Sequence, residues 1–579
     1  MNLTFKHILK ITTSLIGLLL LFQIACTIYL FSTTYNDFIL FILNKTGKLH
    51  KIDEFENSYL TISKFNFIRY FSFAITILYG AIIYFIVTHS NKILNSFYNA
   101  FSALINCVKR NIFKIISLQK HEKIILLSTL TFFVLYRLYQ IIVLPISYDE
   151  AWTYMNFSSK NIIVSALYYP APNNQILYSM ITNVFLLLPI DDKIAIRLPN
   201  LLIGVIAALL IFIFLKDFFN KNTALMGFIT FSSLFPVNLY SIQARGYMLI
   251  VLFSILITYA IFKIVFVRSR KIYWAVFIIA SILGFYTIPT FLYPFVSVSF
   301  FAFIAFLYEK NYWLIKYLIY SGVIITIAVI LLYLPPFYIS GTDALFNNSN
   351  IQNVANNPEK INIKLNHLQS TANWLWGINI GGTLLMAIII VISLVSIFFF
   401  KNYNNKLMML FVFISLALPI IFVFIQNVVA YQRTWIHLTF ILIIFLSLTL
   451  FQFISNKILS MPTKIFYLFL LPIFLLTNFN YLYHKICITD FLAENFTQQH
   501  LVDSSFKNIY INYDYYDTII TYILTVSHNS IIIDRHDAYD KNKPYDYLIL
   551  KKSNQQFNPS LEDFILDYED YYIKAYKKI

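Results

Sequence analysis

Charged residues are scarce in this chain. Only 12% of its 579 residues are Asp, Glu, Lys or Arg, whereas soluble proteins carry about twice that share. Hydrophobic residues make up 59%, and the mean hydropathy is +0.69. Many apolar runs of about 20 residues are long enough to cross a bilayer as helices. The composition therefore argues against a soluble protein and predicts a polytopic α-helical membrane protein.

Cysteine clusters and glycine-rich loops, which would indicate other functions, are also missing. Cys26, Cys107 and Cys487 are far apart and lack metal-ligand spacing, so no disulfide framework is expected. The chain has no P-loop, no GxGxxG sequence and no internal repeat. An energy-coupled pump is therefore unsupported. No residue cluster requires a metal ion or another cofactor.

The net charge of +16 raises the question of a nucleic-acid partner. The basic residues lie mostly in short loops between apolar runs, however, as the positive-inside rule requires. Membrane lipids are thus the expected partners, and nucleic acid is not. The segment 89–122 is predicted to be a basic amphipathic stretch at the cytoplasmic face. The first apolar run follows Lys6 and Lys10 and is interpreted as an uncleaved anchor with a cytoplasmic N-terminus.

About 13 membrane spans are predicted from the apolar runs. They lie at about 8–31, 68–88, 124–144, 196–215, 224–240, 247–267, 272–287, 289–308, 314–335, 377–400, 406–426, 435–454 and 464–483. The shorter run Gln175–Ile190 is assigned to the interface, because counting it as a span would move the next basic loops outside the cell. Residues 151–195 then form one external loop with interfacial helices, and 336–376 form another.

Three segments follow from this pattern. Residues 1–122 form a two-span extension, residues 123–483 form the transmembrane core, and residues 484–579 form a small external domain. In the last segment charged residues increase, and short β-type runs occur around one helical stretch. The predicted strands are Asn508–Tyr513, Ser530–Asp534 and Tyr547–Lys551, and the predicted helix is Asp517–Ser527. These elements predict an α/β domain of about 90 residues.

Polar residues collect on the predicted external face. Asp149 and Glu150 follow the span at 124–144, and three arginines, Arg197, Arg245 and Arg433, lie at the boundaries of later spans. An arginine held at the outer boundary opposes the positive-inside bias and therefore needs a partner. A lipid phosphate suits it, because a guanidinium matches phosphate oxygens bidentately.

The block from Tyr148 to about Ser254 resembles the N-terminal half of the GT-C glycosyltransferases. The closest groups are the protein O-mannosyltransferases and aminoarabinose transferases (families 39 and 83). Four motifs carry this resemblance in order: Asp149-Glu150, the Pro-Asn-Asn-x-x-Leu-Tyr sequence at 172–178, the Arg-Leu-Pro-x-Leu-x-x-Gly sequence at 197–204, and the Ala-Arg-x-Tyr sequence at 244–247. The family often has His where Gln175 stands, and many members have an acid near 241–247, where this chain has none.

The resemblance implies a GT-C-like fold and transfer of a sugar from a polyprenyl-phosphate donor to an acceptor hydroxyl. Asp149 would be the general base, and Glu150 would orient it or position the acceptor. Arg245, Arg433 and Arg197 would hold the donor phosphate; Arg197 could instead anchor a span or pair with Asp191 or Asp192. The expected substrate contacts are Tyr148, Asn173, Asn174, Gln175, Tyr178, Gln243 and Tyr247. Tyr178 and Tyr247 could instead be packing residues.

Other functions stay open at this point. A transporter or flippase of lipid-linked glycans predicts polar residues and broken helices at mid-membrane, whereas the polar set here gathers at one face. A polymerase or ligase of lipid-linked glycans would also use external arginines. The distribution of basic residues predicts a multi-pass protein of the bacterial cytoplasmic membrane with its N-terminus in the cytoplasm and its C-terminal domain outside. The sequence identifies neither the sugar nor the acceptor.

Overall fold

The computed structural model divides the chain into two compact units, Met1–Ile116 and Ser117–Ile579. The residues that it describes are 20–21, 23–46, 61–88, 102–103, 105–106, 109–267, 271–341, 352–353, 357–378, 380–451, 483, 487–535, 543–552, 561 and 563–579. Every structural statement below concerns these residues. All of the predicted span at 464–483 except residue 483, and the first half of the predicted span at about 8–31, lie outside them.

The first unit contains the helices α1 (Gln23–Ser32), α2 (Tyr35–Thr46) and α3 (Ile62–Thr88). Polar contacts join α1 to α3: the hydroxyls of Thr27 and Ser72 are 2.6 Å apart. Arg69 Nε donates to the Leu30 carbonyl at 2.7 Å, which gives a partner to a carbonyl near the end of α1 that its own helix leaves unpaired. The predicted span at 68–88 lies within α3.

The second unit holds most of the helices. They are α4 (Lys120–Val143), α5 (Tyr148–Thr153), α6 (Ile162–Leu167), α7 (Ile176–Phe185), α8 (Asp192–Phe218), α9 (Lys221–Ser233), α10 (Phe235–Ile242), α11 (Tyr247–Phe266), α12 (Lys271–Thr287), α13 (Leu292–Tyr308), α14 (Tyr312–Ser340), α15 (Lys360–Trp376), α16 (Gly382–Phe399), α17 (Tyr403–Gln426), α18 (Leu438–Leu446), α19 (Ile488–His500) and α20 (Asp514–Val526). The strands β1 (Gln352–Asn353) and β2 (Val428–Val429) pair antiparallel. Helices α8 and α11 lie in the interior of this bundle.

Seven described helices are long and apolar enough to cross a membrane, and a bent pair could make an eighth span. The chain is therefore a multi-pass membrane protein, as its composition predicts, while the total of about 13 spans stays a prediction. Helix α7 has ten residues and reaches about 15 Å, half of the hydrocarbon core. It is too short to cross the bilayer alone, in line with its assignment to the interface.

The bent pair covers the predicted span at 224–240. It consists of two helices, α9 and α10, that meet at an angle of 62°. Pro236 at the start of α10 has no N–H to bond the Ser232 carbonyl. Arg137 of α4 donates to that carbonyl instead, with Nη2 at 3.0 Å, and its Nε donates to Asn238 at 3.3 Å. An unpaired buried carbonyl would be costly, so the buried arginine stabilises the bend.

The C-terminal segment forms a five-stranded sheet in the order β4-β3-β5-β7-β6. Its strands are β3 (Asn508–Ile511), β4 (Ile532–Asp534), β5 (Tyr547–Lys551), β6 (Phe564–Glu569) and β7 (Ile573–Lys578). β3 runs parallel to β4 and β5, and α20 makes the crossover between β3 and β4. The predicted α/β domain is confirmed. The sequence analysis missed α19, β6 and β7, because their polar residues hide the apolar period.

Candidate active site

The four motifs meet where α5, α8, the turn between α10 and α11, and the loop 172–175 come together. Helix α5 begins directly after Ser147, which caps it: Ser147 Oγ accepts from the Glu150 N–H at 3.4 Å, and Ser147 N–H donates to Glu150 Oε2 at 3.0 Å. This reciprocal arrangement is a capping box. It puts Asp149 and Glu150 in the first turn of a helix.

Glu150 and Arg197 form a fully buried ion pair. Arg197 Nε and Nη2 donate to the two Glu150 carboxylate oxygens at 2.9 and 2.7 Å, and the side chains are 1% and 0% exposed for Arg197 and Glu150, respectively. Glu150 Oε1 also accepts from the Ala244 N–H at 2.5 Å. The other guanidinium hydrogens bond carbonyls at and after the end of α4: those of Ile141, Leu144 and Pro145. The pair thus ties three of the four motifs together.

Asp149 pairs with a different arginine. Arg433 Nη1 lies 2.5 Å from Asp149 Oδ2, and both side chains are about one-quarter exposed, at 26% and 25%. Arg433 lies in a short 3-10 helix, Gln432–Trp435, and its guanidinium carbon is 4.4 Å from the centre of the Tyr431 ring. The Arg433 Nε is buried and has no hydrogen-bond partner among the residues that the structure describes. One guanidinium donor near the carboxylate is therefore still available to an anion.

Arg245 lies on the other side of Asp149. Its Nη1 donates to Thr153 Oγ1 at 2.8 Å and to the carbonyls of Asp149 and Asn173 at 3.3 Å each. The Arg245 side chain is buried, and within the described part of the chain its Nε also has no hydrogen-bond partner. The guanidinium carbons of Arg245 and Arg433 lie 5.9 and 5.8 Å from the centre of the Tyr247 ring. Tyr247 is therefore an aromatic surface shared by both arginines.

Neighbouring arginines favour the ionised form of both acids, and the two acids differ in their exposure to solvent. Burial opposes ionisation of Asp149, but the positive fields of Arg245 and Arg433 outweigh it and lower the pKa of this carboxyl. Burial also opposes ionisation of Glu150, and Arg197 with the Ala244 and Ser147 N–H groups lowers its pKa in turn. Both residues are therefore carboxylates near neutral pH. Only Asp149 has an edge that reaches the solvent.

The loop 172–175 supports the turn that carries Arg245. Asn174 bonds the carbonyls of Ser165 and Tyr168 at 2.9 and 2.8 Å, and Gln175 Oε1 accepts from the Gly246 N–H. A Cβ at position 246 would lie 3.0 Å from Gln175 Oε1 and 2.9 Å from a Thr287 methyl. Glycine is therefore required there for the close approach. Asn173 is half-buried, and its side chain makes no hydrogen bond among the described residues.

The remaining predicted residues divide between packing and the site. Tyr178 is buried and its hydroxyl donates to the Ile196 carbonyl at 2.7 Å. The Tyr148 ring stacks on Tyr515 of the C-terminal domain at 4.8 Å. The Gln243 carbonyl accepts from Asn200, and Asn200 also bonds the Arg245 carbonyl at 2.6 Å. Tyr247, in contrast, lies with its ring near the guanidinium groups of both Arg245 and Arg433.

Three contacts at or next to the site, made by Thr153, Asp490 and Glu494, were missed by the sequence analysis. Thr153 binds Arg245, and a helical spacing from Asp149 to Thr153 (i, i+4) could have indicated a shared face. Asp490 and Glu494 bind backbone N–H groups next to Asp149, but they lie more than 340 residues away in sequence. Within the described residues, no group of three His, Cys, Asp or Glu side chains could hold a metal ion. The expectation that no metal takes part stays a prediction.

No protein-family model and no curated protein matches this chain. Among solved structures, it is similar to the crystal structure of ArnT from Cupriavidus metallidurans in the apo state and to that of the same protein bound to undecaprenyl phosphate. Each likeness has 8% sequence identity and a TM-score of 0.40, and covers 78% of this chain and 98% of the other. A likeness of this size carries no argument about activity, so the following inferences rest on this chain's own residues.

Proposed function

We propose that this protein is an integral-membrane glycosyltransferase that moves a sugar from a polyprenyl-phosphate donor to an acceptor on the outer face of the cytoplasmic membrane. One observation carries the proposal. The Asp149 carboxylate, partly open to solvent, lies beside two arginines whose Nε groups are buried without partners. A phosphate diester can accept from both guanidinium groups, and the carboxylate can accept a proton.

The residues divide the reaction between them. Asp149 takes the proton of the acceptor hydroxyl, whose oxygen bonds the anomeric carbon of the sugar. The bond from that carbon to the phosphate oxygen breaks, and its electron pair stays on the polyprenyl phosphate. Arg245 and Arg433 stabilise the negative charge on this leaving group. Glu150 and Arg197 bind each other, so in this proposal they position the site and touch no substrate.

Donor binding also tunes the base. Arg245 and Arg433 lower the pKa of Asp149, which weakens its carboxylate as a proton acceptor. A bound phosphate supplies negative charge to both arginines and competes with Asp149 for Arg433. The pKa of Asp149 then rises toward its usual range, so the base becomes stronger only when the donor is in place.

The test compares cells that lack the protein with cells complemented by wild type or by Asp149→Asn. We expect one sugar to disappear from the envelope glycans or glycolipids in the null strain, to return with wild type, and to stay absent with Asp149→Asn, because a carboxamide cannot take the proton. The loss should be about 10²–10⁴-fold in transfer rate. Mass spectrometry of both fractions, at equal membrane amounts of protein, measures it. Asp192→Asn, in a carboxylate that binds Tyr154 and neither arginine, is the matched control.

Binding of polyprenyl phosphate to the purified variants separates the roles. Asp149→Asn should bind at least as tightly as wild type, because it frees Arg433. Arg433→Ala should weaken binding about 10–100-fold, the loss expected for a charge-assisted hydrogen bond. Full sugar transfer by Asp149→Asn would contradict the assignment of Asp149 as the base and would make a lipid transporter the favoured function. Unchanged lipid affinity in Arg433→Ala would remove the phosphate site.

A further inference from the structure

Two carboxylates of the C-terminal domain bind the backbone at the start of α5. Glu494 Oε2 accepts from the Ile146 N–H at 2.6 Å, and Asp490 Oδ1 accepts from the Tyr148 N–H at 3.2 Å. The two acids are four residues apart on α19 and therefore share one helix face. The first N–H groups of a helix have no partner within it. Here the C-terminal domain supplies the acceptors: Asp490 binds the Tyr148 N–H in the first turn of α5, and Glu494 binds the Ile146 N–H just before it.

A second helix of the same domain reinforces this contact. Tyr515 of α20 donates its hydroxyl to Asp490 Oδ1 at 2.7 Å, and its ring stacks on Tyr148 with 4.8 Å between centres and 19° between planes. Glu494 also binds Lys193 Nζ at 3.0 Å, at the start of α8. Asp490 is buried, 3% exposed. Asp490 thus joins α19, α20 and α5 through buried hydrogen bonds and does not lie on a solvated surface.

Helix α5 needs such support. Its six α-helical residues continue directly into the π-helical turn Tyr154–Ser158, and helices shorter than about 12 residues are marginal by themselves. Its capping box orders the first turn, but both partners of that box belong to the same short segment. Asp149 reaches Arg433 from this helix, so any rotation of α5 moves the carboxylate away from the reacting atoms. A displacement of about 1 Å in a reacting group can lower a rate on the order of 10²-fold.

We propose that Asp490 and Glu494 are positioning residues that hold the N-terminus of α5, and with it the Asp149 carboxylate, in the orientation needed for transfer. The inference rests on the proposed function for its kinetic consequences. Its structural content, that the C-terminal domain fixes α5 through these two carboxylates, does not. The C-terminal domain is then part of the catalytic machinery and not only a binding module for the acceptor.

The charge state of Asp490 gives this contact a pH dependence. Burial raises the pKa of Asp490 to about 7, with Glu150 of α5 acting in the same direction. The groups that oppose this shift are the Tyr515 hydroxyl of α20, the Tyr148 N–H of α5 and the Cys487 thiol just before α19. Arg197 is occupied by Glu150. The ionised Asp490 accepts from two donors on one oxygen, and protonation weakens both bonds, so activity should fall as the pH drops below about 7.

The experiment compares Asp490→Ala and Asp490→Asn with Asp570→Ala in the purified full-length protein. Asp570 accepts a tyrosine hydroxyl, that of Tyr516, at 2.6 Å and two N–H groups within the C-terminal domain, so it reproduces the chemistry without contacting α5. We expect Asp490→Ala to lower kcat about 10–100-fold, with the donor KM within twofold and an unchanged number of donor molecules bound per protein. Asp490→Asn keeps an acceptor oxygen but carries no charge at any pH, so its kcat should lie between those of wild type and Asp490→Ala, match the level that wild type reaches when Asp490 is protonated, and show no change near pH 7.

Hydrogen exchange of the peptide covering 146–153 gives a readout that does not require activity. It should become faster in Asp490→Ala and stay at the wild-type rate in Asp570→Ala. Wild-type kcat in Asp490→Ala, an equal loss in Asp570→Ala, or a fall in donor stoichiometry that accounts for the lost rate would each overturn the proposal. If wild type transfers no sugar, the proposed function fails, and the exchange rates alone decide whether Asp490 holds α5.

Discussion

Adjacent residues can have different roles when their side chains meet different partners. Asp149 and Glu150 are neighbours in the first turn of α5, yet Glu150 is buried against Arg197 and Asp149 reaches Arg433 at the solvent edge. In a helix, consecutive side chains point about 100° apart. One faces the bundle and the other faces the site. This division separates a residue buried for stability from the residue that we propose as the base.

Breaking the buried pair should destabilise the protein strongly. Glu150→Gln or Arg197→Gln leaves one charge buried without its partner, and we expect each to lower the free energy of unfolding by about 3–5 kcal/mol. Thermal unfolding of the purified variants in one detergent measures the loss. The control is Arg535→Gln, which breaks an exposed ion pair with Asp517 and should cost at most about 1 kcal/mol.

The double variant provides the second half of that test. Glu150→Gln with Arg197→Gln removes both charges, so it should be more stable than the sum of the two single losses implies. Additive losses would mean that the two side chains do not interact. Losses as small as that of Arg535→Gln would mean that the pair does not organise the motifs.

At the scale of elements, length and proline decide what crosses the membrane. Helix α7 is too short to span. Pro236 bends the α9–α10 pair because it cannot donate to the Ser232 carbonyl, and Arg137 donates to that carbonyl instead. The segments that carry Asp149, Arg245 and Arg433 are all short helices or turns between longer helices. Such segments can bring polar groups together at a membrane boundary without placing unpaired backbone groups in lipid.

The short α7 leads to a topology prediction. If it lies along the interface, Leu187→Cys, at a position 83% exposed, should react with a membrane-impermeant maleimide from outside intact cells. Asn222→Cys, in the first turn of α9, should react only after the membrane is opened. Both are made in a chain whose three cysteines have been replaced. Labelling of Asn222→Cys from outside would make the 175–190 segment a full span and reverse the orientation of the helices that follow.

At the scale of the whole second unit, the C-terminal domain and the helical bundle share a buried acid. Asp490 has its pKa raised from 3.8 to about 7 by burial, so the folded protein binds a proton that the unfolded chain has released. The stability that this proton contributes is complete below about pH 4 and is lost as the pH rises through about 7. Burying the charge then costs free energy that neutral Asn would not cost.

This linkage gives a stability prediction that is separate from catalysis. The Tm of Asp490→Asn minus that of wild type should increase between pH 5 and pH 8, because only wild type must bury a charge at the higher pH. Differential scanning fluorimetry of both proteins in the same buffers measures the difference, and the titration of every other group cancels in it. A Tm difference that stays constant or decreases with pH would show that folding does not raise the pKa of Asp490.

The sequence by itself determined the multi-pass helical character, the α/β domain with β5 at its predicted bounds, and the set of carboxylates and arginines. These follow from hydropathy, period and residue type, which are local properties. The resemblance to GT-C enzymes came from the four motifs, and the roles it implies stay predictions. Tertiary structure alone decided which arginine each acid meets, since Arg197 and Arg433 lie 47 and 284 residues from their partners. It also decided that Asp490 holds α5, because the fields and hydrogen bonds that fix a buried charge act through space and leave no pattern along the chain.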